Sequence, residues 1–309
     1  MQNNRFIDLF AGIGGIRLAF EQNDFKCVFS SEMDKFAAKT YEANFNEVPF
    51  GDITKIHEKD IPEFDVLAAG FPCQPFSLAG KQKGFDDEIR GTLFFDIVRI
   101  LKYHKPKAFL LENVKNLVSH NKGDTFKVIT NKLKELDYNI FYKVLNSKDF
   151  GVPQNRARIY IVGFLDKVDF QFPEPTLEPT NLFSILDKEV DNKYTLSDKL
   201  WEGHQKRKAK HLENGNGFGY RLFDETSTHS STLSARYYKD GSEILIKQNG
   251  KNPRKLTPKE TSRLQGFPND FIMPCSDVNS YKQFGNSVTV PVLFKIVEKI
   301  KECLNEKRI

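Results

Sequence analysis

Between residues 5 and about 165, short apolar runs alternate with stretches whose apolar residues recur at helical spacing, and that rhythm admits few folds. Runs at 6–11, 27–31, 65–69 and 108–111 read as buried strands. Between them, 15–22, 34–44 and 92–103 carry helix-spaced apolar residues, for example Leu93, Phe94, Ile97, Val98 and Leu101. Strands joined through helices must run parallel, so the expected class is α/β, with a doubly wound, mostly parallel, Rossmann-like sheet covered by helices. Ile140–Leu145 and Ile159–Val162 are strand-like with no helix between them. They read as a hairpin-type pair that closes one edge of the sheet.

Bulk numbers narrow the class further. The chain has 309 residues, 39% hydrophobic and 28% charged, with a mean hydropathy of −0.49. That length supports one large core plus a smaller domain. No apolar stretch reaches the roughly 18 residues that a membrane-spanning helix needs, so no membrane association is expected. The N-terminus enters Phe6-Ile7-Asp8-Leu9-Phe10 without the charged region and cleavage site of a secretory signal. The four cysteines (Cys27, Cys73, Cys275, Cys303) are far apart and form no Cys-x-x-Cys pair. Neither a metal site nor a disulfide framework is expected, and a reducing cytoplasm is the expected location. The net charge is +5 and the pI about 8.8. Cations gather at His204–His211 and from Lys247 to Lys259, which suits a polyanion such as DNA and equally a solvated helix face.

The rhythm breaks near Phe170-Gln171-Phe172-Pro173-Glu174-Pro175. Residues 176–255 are rich in Gly, Asn, Ser, Thr and Lys and read as a second, loop-rich domain. Helical periodicity returns over Val288–Leu304. The expected bounds are 1–172 for a catalytic domain, 173–270 for a smaller domain with its hinge, and 271–309 for a segment returning to the first.

Chemistry-bearing residues gather where strands should end. Gly70-Phe71-Pro72-Cys73-Gln74-Pro75-Phe76-Ser77 follows an apolar run. The two prolines stiffen the chain and take it out of the sheet, so Cys73 is presented in a loop, as a nucleophile is. The first strand ends in Phe10-Ala11-Gly12-Ile13-Gly14-Gly15, a turn that lets a ligand approach the backbone. A dinucleotide fingerprint would place a third glycine at position 17, which is Arg17. Glu32 and Asp52 close the next two segments, where acids meet ribose hydroxyls or an adenine amino group. Together they point to an adenosine ligand without a pyrophosphate, with a plain tight turn as the alternative. Glu112 follows the wholly apolar Ala108-Phe109-Leu110-Leu111, so burial should favour its acid form; a helix cap is the alternative. Arg156 and Arg158, two apart on an extended segment, are expected to point together, toward a thiol, a phosphate or a surface carboxylate.

These blocks, with Arg254–Pro268 and Gln283-Phe284-Gly285-Asn286-Ser287-Val288, closely resemble the cytosine-5 DNA methyltransferases of bacterial restriction–modification systems. The resemblance covers residues 5–165 and 254–292 in the family's order. It implies a class I S-adenosylmethionine-dependent methyltransferase fold with a target-recognition domain. It implies cofactor contacts at Phe10, Gly12, Ile13, Gly14, Gly15, Glu32, Met33, Asp52, Ile53, Pro72, Leu93, Asn286 and Ser287, with S-adenosylhomocysteine as product. It implies that the target base is flipped from the duplex, that Cys73 attacks C6, and that Glu112, Arg158 and Arg156 assist. Residues 74–92 would close over DNA through Gln74, Ser77, Lys81 and Gln82; Arg221, Arg236 and Lys239 would contact it from the second domain. The implied partner is double-stranded DNA with a short site, bound by a monomer, with a cognate restriction endonuclease possible. A tRNA cytosine-5 methyltransferase, a non-catalytic DNA-binding regulator and a nicotinamide oxidoreductase are the rival readings. The sizeable 176–253 region, the presence of Cys73, and Arg17 argue against them in turn.

Overall fold

The computed structural model describes residues 4–72, 93–176 and 178–306. The chain divides into two compact units: Met1–Leu145, Ala157–Glu174 and Val292–Ile309 form one, and Asn146–Arg156 with Pro175–Pro291 form the other. Residues 146–156 and 271–291 thus group with the second unit rather than the first.

The first unit is built on a six-stranded sheet of order β2-β1-β3-β4-β6-β5. Its strands are β1 (Arg5–Leu9), β2 (Lys26–Ser31), β3 (Val66–Gly70), β4 (Ala108–Val114), β5 (Asn139–Asn146) and β6 (Ala157–Phe164). β1 pairs in parallel with β2 and β3, and β3 with β4, while β6 runs antiparallel to β4. The central strands are buried on both faces, as a helix-covered parallel sheet requires: Phe6, Ile7, Leu9, Val66–Ala69 and Ala108–Leu111 are all 0–1% exposed. The helices are α1 (Gly15–Glu21), α2 (Lys35–Phe45), α3 (Leu93–His104) and α4 (Asp124–Lys134). α2 starts where Asp34 accepts the amides of Phe36 and Ala37, the usual remedy for unpaired N–H groups at a helix start. From β1 the chain goes outward to β2, then crosses back over β1 to β3. Strand order therefore reverses between β1 and β3, and ligands of open α/β sheets bind at the carboxyl ends beside such a reversal.

The last element among the described residues is α8 (Val290–Glu306), which from Val292 belongs to the first unit. Val292, Leu293, Ile296, Val297 and Ile300 are buried, and Asn23 Nδ2 donates to the Phe294 carbonyl at 3.1 Å. The second unit holds α5 (Asp198–Glu213), α6 (Pro258–Leu264) and α7 (Asp277–Asn286). It also has a small sheet of β7 (Leu222–Phe223), β8 (Leu245–Gln248) and β9 (Lys251–Arg254). α6 opens with a capping box between Thr257 and Glu260, and Glu260 is also paired in bidentate fashion with Arg254 at 2.8 and 2.9 Å. Among the described residues no helix is long and apolar enough to cross a membrane.

Candidate active site

The chain leaves β1 through a turn that only small residues tolerate in part. Phe10, Gly12 and Gly14 all have positive φ, at 56°, 56° and 84°. A Cβ on Gly12 would meet nothing within 4 Å, so its backbone lies open to approach. A Cβ on Gly14 would overlap the Phe45 ring. Ile13, Gly14 and Gly15 are buried. Glu32, just beyond β2, folds back onto this turn. Its Oε2 accepts the Gly12 amide at 2.8 Å and its Oε1 accepts the Asp34 amide at 2.7 Å. Burial raises the Glu32 pKa, and the two amides pull against that rise. Met33 beside it is 71% exposed. Asp52 caps the 3-10 turn Ile53–Lys55, its Oδ1 accepting from Thr54 N and Oγ1, and these bonds hold its carboxyl below the usual range. Ile53 is buried in the core.

On the other side of the strand-order reversal, β3 ends at Gly70 and continues through buried Phe71 to exposed Pro72. Cys73, Gln74, Ser77, Lys81 and Gln82 lie outside the described residues, as does the rest of 74–92. Leu93 opens α3. Register places Glu112 of β4 directly opposite Gly70, so the carboxylate and the exit to Pro72 share one sheet edge. Glu112 is buried, and Arg158 Nε lies 3.2 Å from its Oε1. Because β6 runs antiparallel, Arg158 sits opposite Val114, at the start of its strand and beside the end of β4. Asn113 was not singled out by the sequence. It is 3% exposed, donates through Nδ2 to the Phe71 carbonyl at 2.8 Å, and accepts the Val114 amide at 2.8 Å. Its only sequence signal is an amide next to the strand-end acid, which does not say which carbonyl it meets.

Arg156 departs from the expected pairing with Arg158. It precedes β6, belongs to the second unit, and donates to the carbonyls of Leu233 (3.0 Å), Gly285 (3.3 Å) and Ser287. Buried donors need acceptors, and three backbone carbonyls accept from its two terminal nitrogens, so Arg156 ties together segments of the second unit. Asn286 is exposed at the end of α7 and Ser287 caps it. Arg221, Arg236 and Lys239 are exposed on the second unit. Arg221 directly precedes β7 and its amide donates to the Ser242 carbonyl, while Arg236 and Lys239 lie in the stretch that leads into β8, the Lys239 amide donating to the Arg236 carbonyl.

Two further groups bear on the chemistry. Burial pushes the Cys27 thiol up to about 12 and raises that of Cys303, which makes both poor nucleophiles. Asp8, wholly buried on β1, is pushed up to about 8 by its burial, against the opposing charge of Arg17. Among the described residues no group of His, Cys, Asp and Glu is arranged to hold a metal.

The family profile for C-5 cytosine-specific DNA methylases matches residues 4–302. The chain is 61% identical to the type II methyltransferase M1.ScrFI of Lactococcus lactis subsp. cremoris over 310 residues, covering 98% of this chain and 79% of that protein. It is 62% identical to the type II methyltransferase M.SsoII of Shigella sonnei, covering 97% of this chain and 81% of that protein. Among solved structures, the Entamoeba histolytica methyltransferase EhMeth superposes with a TM-score of 0.78 at 21% identity, over 98% of this chain and 99% of that one, and so shares the fold. A profile matched along nearly the whole chain, with relatives this similar, leaves one assignment: the chain belongs to the C-5 cytosine-specific DNA methylase family.

Proposed function

We propose that the chain turns a cytosine out of a short duplex site and methylates C5 while Cys73 is bonded to C6. That it is a DNA cytosine-5 methyltransferase of the restriction–modification type follows from the family; the residue roles are the proposal. One observation carries it. The strand that leads to Pro72, one residue before Cys73 in the sequence, lies in register beside the strand that carries Glu112, whose carboxylate pairs with Arg158 of β6, next to the Gly12–Glu32 cradle.

The cradle fits an adenosine cofactor. Gly12 leaves room for a ligand against its backbone, and each Glu32 oxygen, after accepting one amide, keeps a lone pair for a ribose hydroxyl. S-adenosylmethionine would supply there a sulfonium-bound methyl group and leave as S-adenosylhomocysteine. Phe10, Gly12, Glu32 and Asp52 would hold it, with Pro72 and Leu93 beside them.

Cytosine C5 is by itself a poor nucleophile. Addition of the Cys73 thiolate to C6 moves an electron pair toward C5, which then accepts a methyl group. Glu112 hydrogen-bonds the N3 and amino edge as charge develops there, and Arg158 holds Glu112 in place. Loss of the C5 proton then lets the C6–S bond break and returns the thiolate. Arg221, Arg236 and Lys239 would contact the duplex, and a cognate endonuclease would share the site.

Trapping tests this directly. Incubation with cofactor and a 5-fluorocytosine duplex library should give a covalent complex that survives denaturation, because fluorine cannot leave C5 as the proton does. Cys73→Ser should form none. Failure of the wild type to trap any duplex, while methylating ordinary DNA, would overturn the covalent route.

A further inference from the structure

Arg17 occupies the position where a dinucleotide turn would carry its third glycine, and the active-site account leaves it unused. It is 8% exposed, in the middle of α1. Its Nε donates to Glu21 Oε1 at 2.7 Å, and Nη1 donates both to Tyr41 Oη and to Glu47 Oε2 at 2.9 Å. The guanidinium carbon lies 4.5 Å from the Phe45 ring centre and 5.3 Å from that of Tyr41. One side chain therefore joins α1 to α2 and to the segment that follows it.

From Glu47 the contacts lead back to the cofactor cradle. Its other oxygen, Oε1, accepts the Ser30 hydroxyl at 2.9 Å. The chain after Glu47 runs beside the end of β2: the Phe50 amide donates to Ser30 O, and the Glu32 amide donates to Phe50 O, both at 2.8 Å. Glu32 then reaches the Gly12 amide. On the opposite side Phe45, under the guanidinium, packs against the Gly14 backbone so closely that no Cβ fits between them. The contacts close a ring that runs Gly12, Gly14, Arg17, Glu47, Ser30, Glu32 and back to Gly12.

We propose that Arg17 is a positioning residue for the adenosine half of the cofactor site, fixing through Glu47 and Phe45 the spacing between the Gly12–Gly14 turn and the Glu32 carboxylate. This rests on the reading that the turn and Glu32 hold S-adenosylmethionine. Only a planar fork can donate in two directions and lie flat on an aromatic ring, so lysine replaces it in part. The turn and the carboxylate bind the ligand equally before and during transfer, so a disturbed spacing should act on affinity and not on the chemical step.

The test uses the full-length protein in four forms: wild type, Arg17→Met, Arg17→Lys and Ser30→Ala. Calorimetry with S-adenosylhomocysteine reads binding without turnover, and steady-state kinetics separate the KM values for cofactor and DNA. Arg17→Met should weaken cofactor binding and raise cofactor KM about tenfold, with kcat and the DNA KM unchanged at saturation. Arg17→Lys should recover part of that loss. Ser30→Ala, which cuts one link of the ring and removes a single hydroxyl, should raise the cofactor Kd about threefold. The Ser30 variant keeps the test decisive if Arg17→Met does not fold. Wild-type binding that persists unchanged in Ser30→Ala and Arg17→Lys would overturn the inference. So would a parallel fall in kcat, DNA affinity and cofactor affinity, the pattern of general loosening. A wild type that binds no S-adenosylhomocysteine would instead overturn the assignment of the cradle.

Discussion

Glu112 and Arg158 are buried to similar depth, with side chains 11% and 14% exposed, so each charge depends on the other. Truncating one partner of such a pair leaves an uncompensated charge and a void. A glutamine at position 112 also strips Arg158 of its counter-charge but keeps the shape and one acceptor oxygen for the guanidinium, at a smaller cost in stability. Glu112→Gln should therefore fold and bind S-adenosylhomocysteine as the wild type does. Single-turnover methylation should slow by about 10²–10⁴-fold, the range for loss of a positioned acid–base group. Unchanged single-turnover rates would remove Glu112 from the chemistry. Asp8 gives a second residue-scale expectation, this one in stability. Its folded pKa is about 8, raised by burial, against an unfolded value near 3.9. Between those two pH values the folded protein keeps a proton that the unfolded chain has released. Stability therefore falls as pH rises through that window and levels off above it. Asp8→Asn cannot ionise and should lose this slope. The difference in Tm between variant and wild type should move in the variant's favour from pH 5 to pH 8, and a constant difference would refute the shift.

Elements meet at the carboxyl edge of the sheet, and Asn113 joins two of them. Its amide ties the end of β4 to the Phe71 carbonyl, two residues before Cys73. Asn113→Asp keeps the oxygen that accepts the Val114 amide but loses the donor to Phe71, leaving a buried carbonyl unpaired. The expected result is a loss of about 1–3 kcal/mol in stability and slower trapping by 5-fluorocytosine DNA, with cofactor affinity intact. Equal trapping rates would limit Asn113 to the fold. The sheet itself was legible in the sequence. Its central strands are buried on both faces, and such strands appear as uninterrupted apolar runs, as Val66–Ala69 and Ala108–Leu111 do. The placement of Glu112 at a strand end was legible for a related reason, since it closes the apolar run Ala108–Leu111, while Glu32, which follows Ser30-Ser31, was marked by its spacing from the Gly12 turn. Arg156 was not. Period-two spacing puts it on a face with Arg158 only if both lie in one strand, and β6 begins at Ala157. Its partners are carbonyls 77 to 131 residues away, which no local pattern encodes.

At the scale of the whole molecule, the division of labour between the units can be tested through charge. The cofactor cradle and the Glu112–Arg158 pair both lie in the first unit, while Arg221, Arg236 and Lys239 are exposed on the second. A net charge of +5 suits a polyanion, and phosphate contacts release counterions, so DNA affinity should fall steeply and log-linearly with salt. Single substitutions sort the three cations. If Lys239 meets a phosphate, Lys239→Ala should weaken binding to every duplex alike and reduce the salt slope by about 1. If Arg221 or Arg236 reads a base edge, its alanine variant should relax the methylated site at one position, at about 1–3 kcal/mol of discrimination. Bisulfite sequencing of plasmid from cells expressing each variant reads that relaxation directly. In every case the Kd for S-adenosylhomocysteine should stay at the wild-type value, because the cradle belongs to the other unit. Alanine variants that leave both the salt slope and the site unchanged would exclude these residues from the DNA interface, and duplex reading would then have to be sought elsewhere on the protein.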